Sequence, residues 1–226
     1  MRFIDLTHPL SPDIPTWNGT CGFHIEIIKD YGTGEGVQFR THGLHLEAGV
    51  GTHMDAPSHC TPGASGIEAL LLADLIAPCV VIDVASKAHP DFLLNPQDIE
   101  EFETHQGKIE KGTFVIIHTG WAQYWPTPEK YKNNYRFPSV SQEAALFLLE
   151  RGVKGLGVDT LSPDLPESGY PVHAELLGAG KYIIENVANS HLLPPKGFYS
   201  FALPMKITGA TEAPMRLVAV FMDSKN

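Results

Sequence analysis

Alternating apolar and polar positions predict that strands dominate this chain. Short apolar runs bounded by glycine, proline and asparagine are typical of strands, and capped runs with a glycine stop are typical of helices. Because strands outnumber helices and alternate with them irregularly, we predict one mixed α/β domain over residues 1–226, with a mixed sheet or barrel and peripheral helices. The predicted strands are 3–6, 24–29, 37–45, 46–56, 79–84, 113–119, 155–159, 182–185, 198–206 and 217–222, the helices are 97–106, 142–151 and 172–177, and 122–138 is a surface loop.

One predicted strand ends in a concentration of ligand-type side chains. His53 and Asp55 are two residues apart, so an extended chain places them on one face, with Gly51 before them. Pro57 stops the strand, and His59 follows it and can fold back toward the same point. Imidazole together with carboxylate is the usual ligand set of a divalent metal that keeps an open position for water. The pattern therefore predicts a metal-dependent hydrolase.

A second pair of residues, later in the chain, could complete such a site. His173 begins a predicted helix, and Glu185 lies in an apolar strand twelve residues further on. A carboxylate in such a strand needs a partner, because burying an unpaired charge is costly. A metal ion, an arginine or backbone amides would each serve as that partner.

Composition limits the classes of function. The chain has 226 residues and a formal net charge of −10, which argues against nucleic acid or an anionic membrane as a partner. The three cysteines, Cys21, Cys60 and Cys79, form no CxxC pair, so neither a disulfide framework nor a cysteine zinc site is indicated, and we expect a cytoplasmic protein. The N-terminal residues resemble neither a signal peptide nor a membrane span. The sequence also lacks the G-x-S-x-G elbow of serine hydrolases and a phosphate-binding loop.

The segment that carries these residues resembles a known signature. Residues 49–59 are similar to the H-x-G-T-H-x-D-x-P-x-H motif of the metal-dependent cyclase family, which includes bacterial kynurenine formamidases and isatin hydrolase. Further segments, in order along the chain, resemble the same family: 4–10, 15–17, 157–160 and the pair His173 with Glu185-Asn186.

This resemblance implies a fold, an activity and a set of roles. The fold would be the swivelling β/β/α fold around a β-barrel, and the reaction would be hydrolysis of an amide, ester or lactam. His53, Asp55, His173 and Glu185 would be metal ligands, and His59 would be the general acid/base and, in an alternative interpretation, also a ligand. In family members with two zinc ions, the aspartate and the glutamate bridge the metals.

The chain departs from the signature at Gly49, which occupies the place of the first histidine. A glycine has no side chain with which to bind a metal, so we expect one firmly held ion, with zinc ahead of manganese. His45 and Glu47 have the same strand parity as Gly49, and either could substitute if the strand bulges, with Glu47 preferred. The alternative is that Glu47 is a paired charge and His45 a core or surface histidine.

The sequence thus predicts a hydrolase of an aryl formamide or cyclic lactam that uses metal-activated water and a histidine acid/base. Trp17 would either form an apolar wall for an aromatic substrate, as in the family that the chain resembles, or pack in the core. A role in tryptophan catabolism would fit a formamidase-like activity. Two alternatives remain: a lactonase or carboxylic ester hydrolase without formamidase activity, and a non-catalytic metal- or small-molecule-binding protein. We expect a small-molecule substrate, a homodimer or homotetramer, and neither nucleic acid nor membrane as a partner.

Overall fold

The computed structural model describes residues 1–32 and 34–222, which form strands, helices and short 3₁₀ turns. The strands are β1 (Arg2–Asp5), β2 (Phe23–Lys29), β3 (Thr41–Leu46), β4 (His53–Asp55), β5 (Ile76–Asp83), β6 (Leu93–Leu94), β7 (Phe114–His118), β8 (Ser139–Val140), β9 (Gly155–Val158), β10 (Tyr182–Glu185), β11 (Phe198–Pro204) and β12 (Glu212–Phe221). The helices are α1 (Leu72–Leu75), α2 (Pro96–Gln106), α3 (Pro128–Lys132), α4 (Gln142–Glu150) and α5 (Pro171–Gly178). No helix within these residues is long and apolar enough to span a membrane.

Seven strands close into a barrel. Their order is β12, β11, β5, β7, β9, β10 and β4, and a further pairing between β4 and β12 completes the ring. The neighbours from β5 to β10 pair in parallel, whereas β4, β11 and β12 pair antiparallel with their neighbours. Strand β1 adds to the far end of β12. The predicted mixed α/β barrel is therefore confirmed.

The interior of the barrel is filled by alternate apolar side chains, and glycines on β9 make room for them. Phe114 and Tyr182 stack with ring centroids 5.6 Å apart. A Cβ atom on Gly157 would lie 2.9 Å from the Phe114 ring, and one on Gly155 would lie 2.6 Å from the Tyr182 ring. These glycines are needed because packed interiors leave no space for an added methyl group.

The outer face of the barrel packs against helices. Leu156 and Ile183, which alternate with inward-facing residues, belong to a second core with Leu148 of α4 and Leu176 of α5. Burying a leucine side chain of this kind stabilises the fold by roughly 1.5–3 kcal/mol. Because Met54 belongs to the inner core, its neighbours on β4 face outward, on the side of α5. Strand alternation therefore puts the ligand-type residues outside the barrel.

The structure shortens two predicted strands near the site. The strand predicted at 37–45 starts only at Thr41, and the one predicted at 46–56 is limited to His53–Asp55. Gly51 has a φ of +64°, which interrupts an extended chain. A Cβ atom there would overlap the side chain of Leu10. Gly51 therefore makes a bend before β4 and is not part of the strand face.

Two other differences concern the second half of the chain. The loop predicted at 122–138 contains α3 and two 3₁₀ turns, at Trp121–Tyr124 and Asn133–Tyr135. The last strand was predicted to start at residue 217 but starts at Glu212. The sequence does not predict this earlier start because Pro214 follows it, and proline, which has no backbone N–H, is uncommon within strands.

Candidate active site

Three adjacent strands bring ligand-type side chains to one point on the outer face of the barrel. Strand β4 carries His53 and Asp55 and is flanked by β10 on one side and β12 on the other. Glu185 of β10 lies opposite His53, and Glu212 of β12 lies opposite Asp55. Residues directly opposite each other in paired strands project from the same face of the sheet. Helix α5 packs over this face and adds His173.

Two histidines and two carboxylates form the buried centre of the site. His53 Nε2 lies 3.5 Å from Asp55 Oδ1 and 3.4 Å from Glu185 Oε2. His173 Nε2 lies 3.6 Å from Asp55 Oδ2 and 3.4 Å from Glu185 Oε1. Each carboxylate thus directs one oxygen toward each histidine. All four residues are buried.

The tautomers of both histidines are fixed from outside this centre. The Nδ1–H of His53 donates to the carbonyl oxygen of Gly51 at 2.9 Å, and that of His173 donates to Asp164 Oδ2 at 2.7 Å. Asn186 Nδ2 also donates to the Gly51 oxygen, at 2.8 Å. Each histidine therefore directs Nε2 at the carboxylates. This is the arrangement that a metal-binding histidine requires.

The electrostatics of the centre favour a cation. Burial alone would lower the pKa of His53, but the charges of Asp55 and Glu185 outweigh this effect and raise it. Burial, followed by the charge of Asp55, raises the pKa of Glu185. Asp55 is 1% exposed, and its Oδ1 atom has no hydrogen-bond partner within the described part of the chain. A buried carboxylate oxygen without a partner is costly, and a bound divalent metal would satisfy it, so these residues fit one.

His59 lies at the open side of the centre. It ends the 3₁₀ turn Pro57–His59, and its side chain is 33% exposed. Its Nδ1 atom lies 3.4 Å from Glu212 Oε2, and this carboxylate raises the pKa of His59. The His59 and His173 rings lie 6.2 Å apart. An exposed, carboxylate-paired imidazole next to this buried centre is suited to proton transfer.

A pocket of about 480 Å³ opens onto these residues. Trp17 and Tyr170 form aromatic walls with ring centroids 6.2 Å apart. Lys132 Nζ and the Tyr135 hydroxyl each donate to the Trp17 carbonyl oxygen at 2.6 Å, which anchors the loop that carries this wall. Cys60 also lines the pocket, but burial raises its pKa and disfavours the thiolate that a nucleophile would need.

The structure brings together most of the residues that the sequence singled out. The pocket is lined by His53, Asp55, His59, His173, Glu185, Trp17 and Glu47. His45 lies elsewhere, exposed on β3 opposite His24 of β2, so the structure does not bring this proposed substitute to the pocket.

Sequence reasoning missed Asp164 and Glu212. Asp164 lies in an irregular segment nine residues before His173, where no periodicity signals its direction. Glu212 lies beside Pro214 in a segment that we did not predict as strand. A carboxylate shortly before a proline-started helix is a weak signal for Asp164, since such groups accept helix N-terminal amides.

Comparison with known proteins identifies the family. The Cyclase family model matches residues 4–165. The chain belongs to the cyclase family. It is 29% identical to the isatin hydrolase of Roseibium aggregatum, over 97% of this chain and 92% of that protein. It is also 29% identical to the kynurenine formamidase of Bacillus mycoides, over 96% of each chain.

Solved structures of the cyclase family agree with the barrel described above. Isatin hydrolase A from Labrenzia aggregata, bound to benzyl benzoate, superposes with a TM-score of 0.88 at 31% identity. The match covers 97% of this chain and 93% of the isatin hydrolase chain. A predicted metal-dependent hydrolase from Bacillus stearothermophilus superposes with a TM-score of 0.76 at 26% identity, covering 96% and 97%. The chain is therefore a hydrolase of the cyclase family, and its buried His53–Asp55–Glu185 group could hold a metal ion.

Proposed function

We propose that the protein hydrolyses a small amide or ester, with an aryl formamide or a cyclic lactam as the first candidate substrate. The observation that carries this proposal is the pair of carboxylates, Asp55 and Glu185, each directed at both His53 and His173 beneath an aromatic pocket. Kynurenine formamidase and isatin hydrolase, the relatives named above, support this substrate class.

The metal in this proposal is zinc, with manganese as the second candidate. Neutral imidazole nitrogens and carboxylate oxygens are a donor set that zinc accepts readily, and the absence of a cysteine in the centre is compatible with manganese. His53, Asp55, His173 and Glu185 would hold the ion. When bound, a divalent ion lowers the pKa of a coordinated water and polarises the scissile carbonyl.

The chain itself would contribute positioning and proton transfer. The Gly51 carbonyl and Asp164 keep the two histidine Nε2 atoms directed at the centre. His59, on the open side, would take a proton from water and return it to the leaving group, a role that typically contributes roughly 10²–10⁴-fold. Trp17 and Tyr170 would flank the aromatic part of the substrate.

A hydrolysis screen of zinc-loaded protein with N-formylkynurenine, isatin and simple lactones tests this proposal. We expect turnover of the formamide or the lactam that is lost on chelation and restored by zinc or manganese. Turnover of lactones alone would favour the lactonase alternative. Folded protein that takes up no metal and turns over none of these compounds would refute the hydrolase proposal and favour a binding protein.

The variant His59→Ala tests the proton-transfer role. Metal content should stay nearly unchanged while turnover falls by at least about a hundredfold, the lower end expected for a general acid/base. Loss of the metal would show that His59 is a ligand first.

We further propose that the protein acts in the cytoplasm as a homodimer or homotetramer, with neither nucleic acid nor membrane as a partner. The two-stranded ribbon of β2 and β3 supports self-association. A lone two-stranded ribbon is marginally stable in water, and clustered exposed apolar side chains commonly mark an interface. Light scattering coupled to gel filtration should give a mass above that of the 24.7 kDa monomer. The exposed apolar residues on or next to this ribbon are Ile25, Ile27, Ile28, Tyr31, Val37, Phe39 and Leu44.

A further inference from the structure

We propose that Glu212 supplies the metal ligand that Gly49 cannot, so that the site holds two divalent cations rather than one. This inference rests on the proposed metal-dependent hydrolase function. The sequence suggested Glu47 or His45 as the substitute ligand, whereas this proposal assigns that role to Glu212, on strand β12.

The first argument is steric. A Cβ atom built on Gly49 would overlap Oε1 of Glu212, and it would lie 3.3 Å from Glu212 Cδ and 3.5 Å from His53 Nε2. The Glu212 carboxylate therefore occupies the space next to His53 that a side chain at position 49 would need. A side chain at position 49 would therefore require the Glu212 carboxylate to move from this place.

Strand register explains why Glu212 reaches this space. Strands β4 and β12 pair antiparallel, with Glu212 opposite Asp55. The Ala56 N–H donates to the Thr211 carbonyl oxygen at 2.8 Å and extends this pairing by one step. Opposed residues share a face, so the Glu212 side chain must emerge beside Asp55 on the outer side of the barrel.

The donor atoms form two overlapping groups around Asp55. Atoms of His53, Asp55 and Glu185 lie within 4.8 Å of one another, and so do atoms of Asp55, His59 and Glu212. The Oδ1 atom of Asp55 is buried without a hydrogen-bond partner among the described residues. Two donor groups that share a carboxylate can accommodate two neighbouring cations.

The two oxygens of Glu212 have different neighbours. Oε1 lies where a side chain at position 49 would begin, and Oε2 lies 3.4 Å from His59 Nδ1. We assign Oε1, together with Asp55, to the second cation, and Oε2 to His59 Nδ1, so that His59 borders this group without being a ligand. His59 then keeps Nε2 for proton transfer, in agreement with its proposed role.

Metal analysis of zinc-loaded, desalted protein is the test. We expect about two equivalents of zinc in the wild type and one in Glu212→Gln. The weaker ion should bind at least about a hundredfold less tightly in that variant, since even residues behind a ligand account for 10–100-fold in affinity. Glu47→Gln, a matched change at another pocket carboxylate, should retain two equivalents. Circular dichroism of the metal-free proteins checks that each variant is folded.

A double variant that moves the ligand from position 212 to position 49 gives a second test. Gly49→His alone should disturb the site, because its side chain meets Glu212. The double variant Gly49→His/Glu212→Gly should bind two equivalents again, whereas Glu212→Gly alone should bind one.

The proposal is overturned by a wild type that binds only one equivalent under excess zinc, or by Glu212→Gln that still binds two. Loss of turnover in Glu212→Gln with two ions retained would also overturn it, because Glu212 would then act only through His59. If two ions bind as expected but no substrate is hydrolysed, the hydrolase proposal fails and the ligand assignment stands.

Discussion

Asp164 offers a sharp test of how the site is held together. It is 1% exposed and accepts hydrogen bonds from the backbone N–H of Val172 at 3.1 Å, the backbone N–H of His173 at 2.9 Å, and His173 Nδ1 at 2.7 Å. One carboxylate therefore fixes both the start of α5 and the tautomer of His173, a proposed metal ligand. Asp164→Asn keeps the size of this side chain but replaces one acceptor oxygen with an NH₂ donor.

The expected effect on metal binding follows from the tautomer. Asparagine accepts through one uncharged oxygen only. It therefore either turns NH₂ to Nδ1, which moves the proton to Nε2, or holds the Nδ1–H with a weaker acceptor than a carboxylate; both weaken Nε2 as a metal ligand. Loss of such a support typically weakens metal affinity about 10–100-fold, which corresponds to roughly 1.4–2.7 kcal/mol. The metal-free protein should also lose about 1 kcal/mol of stability, because the amides at the start of α5 keep a weaker acceptor.

Competition of the protein with a fluorescent zinc chelator measures the affinity, and urea unfolding of the metal-free protein measures the stability. Asp98→Asn is the matched control, since Asp98 accepts from the Asn95 N–H at the start of α2, away from the pocket. It should lower stability without changing zinc affinity. If Asp164→Asn binds zinc within about twofold of the wild type, less than the range expected for a support of this kind, Asp164 serves only the helix and our reasoning about His173 is wrong.

Two further predictions concern stability. Glu103 is buried, and its hydrogen bonds, chiefly with Arg151, lower its pKa to about 2. A lowered pKa stabilises the fold above the unfolded pKa, so Glu103→Gln should cost about 2–3 kcal/mol at pH 7. This difference from the wild type should shrink as the pH falls from about 4.5 to 2 in urea unfolding, and a pH-independent difference would contradict it. Tyr131→Phe removes a buried hydroxyl that donates to Asn186 Oδ1 at 2.9 Å. It should lower the free energy of unfolding by about 1–2 kcal/mol in the same assay. An unchanged free energy of unfolding would show that this hydrogen bond does not stabilise the fold.

Much of the fold could be predicted because its signals are local. Strands such as β7 and β10 are short apolar runs between turn residues, and helices α2 and α4 begin at capping residues. The cyclase family resemblance, which the family match confirms, added the barrel. Boundaries were missed where one residue departs from a local pattern, as Gly51 does with its positive φ before β4.

The same distinction between local and tertiary signals applies to the residues of the candidate site. His53 and Asp55 could be paired from sequence, because an extended chain repeats every two residues. Asp164 could not be assigned, because a loop gives its side chain no periodic direction. Glu212 could not be assigned either, because its place depends on the pairing of β12 with β4.

The sequence by itself determined which chemical groups are available, which of them share a strand face, and which ligand is missing at Gly49. The first two are properties of neighbouring residues and of backbone periodicity, and the third follows from the resemblance to the cyclase family signature. Only the tertiary structure decided what stands in the missing place. Closure of the barrel pairs β4 with β12, two strands that are far apart in the sequence. The hydrogen-bond register between them puts Glu212 opposite Asp55. Register is a property of paired strands and is invisible in either strand alone.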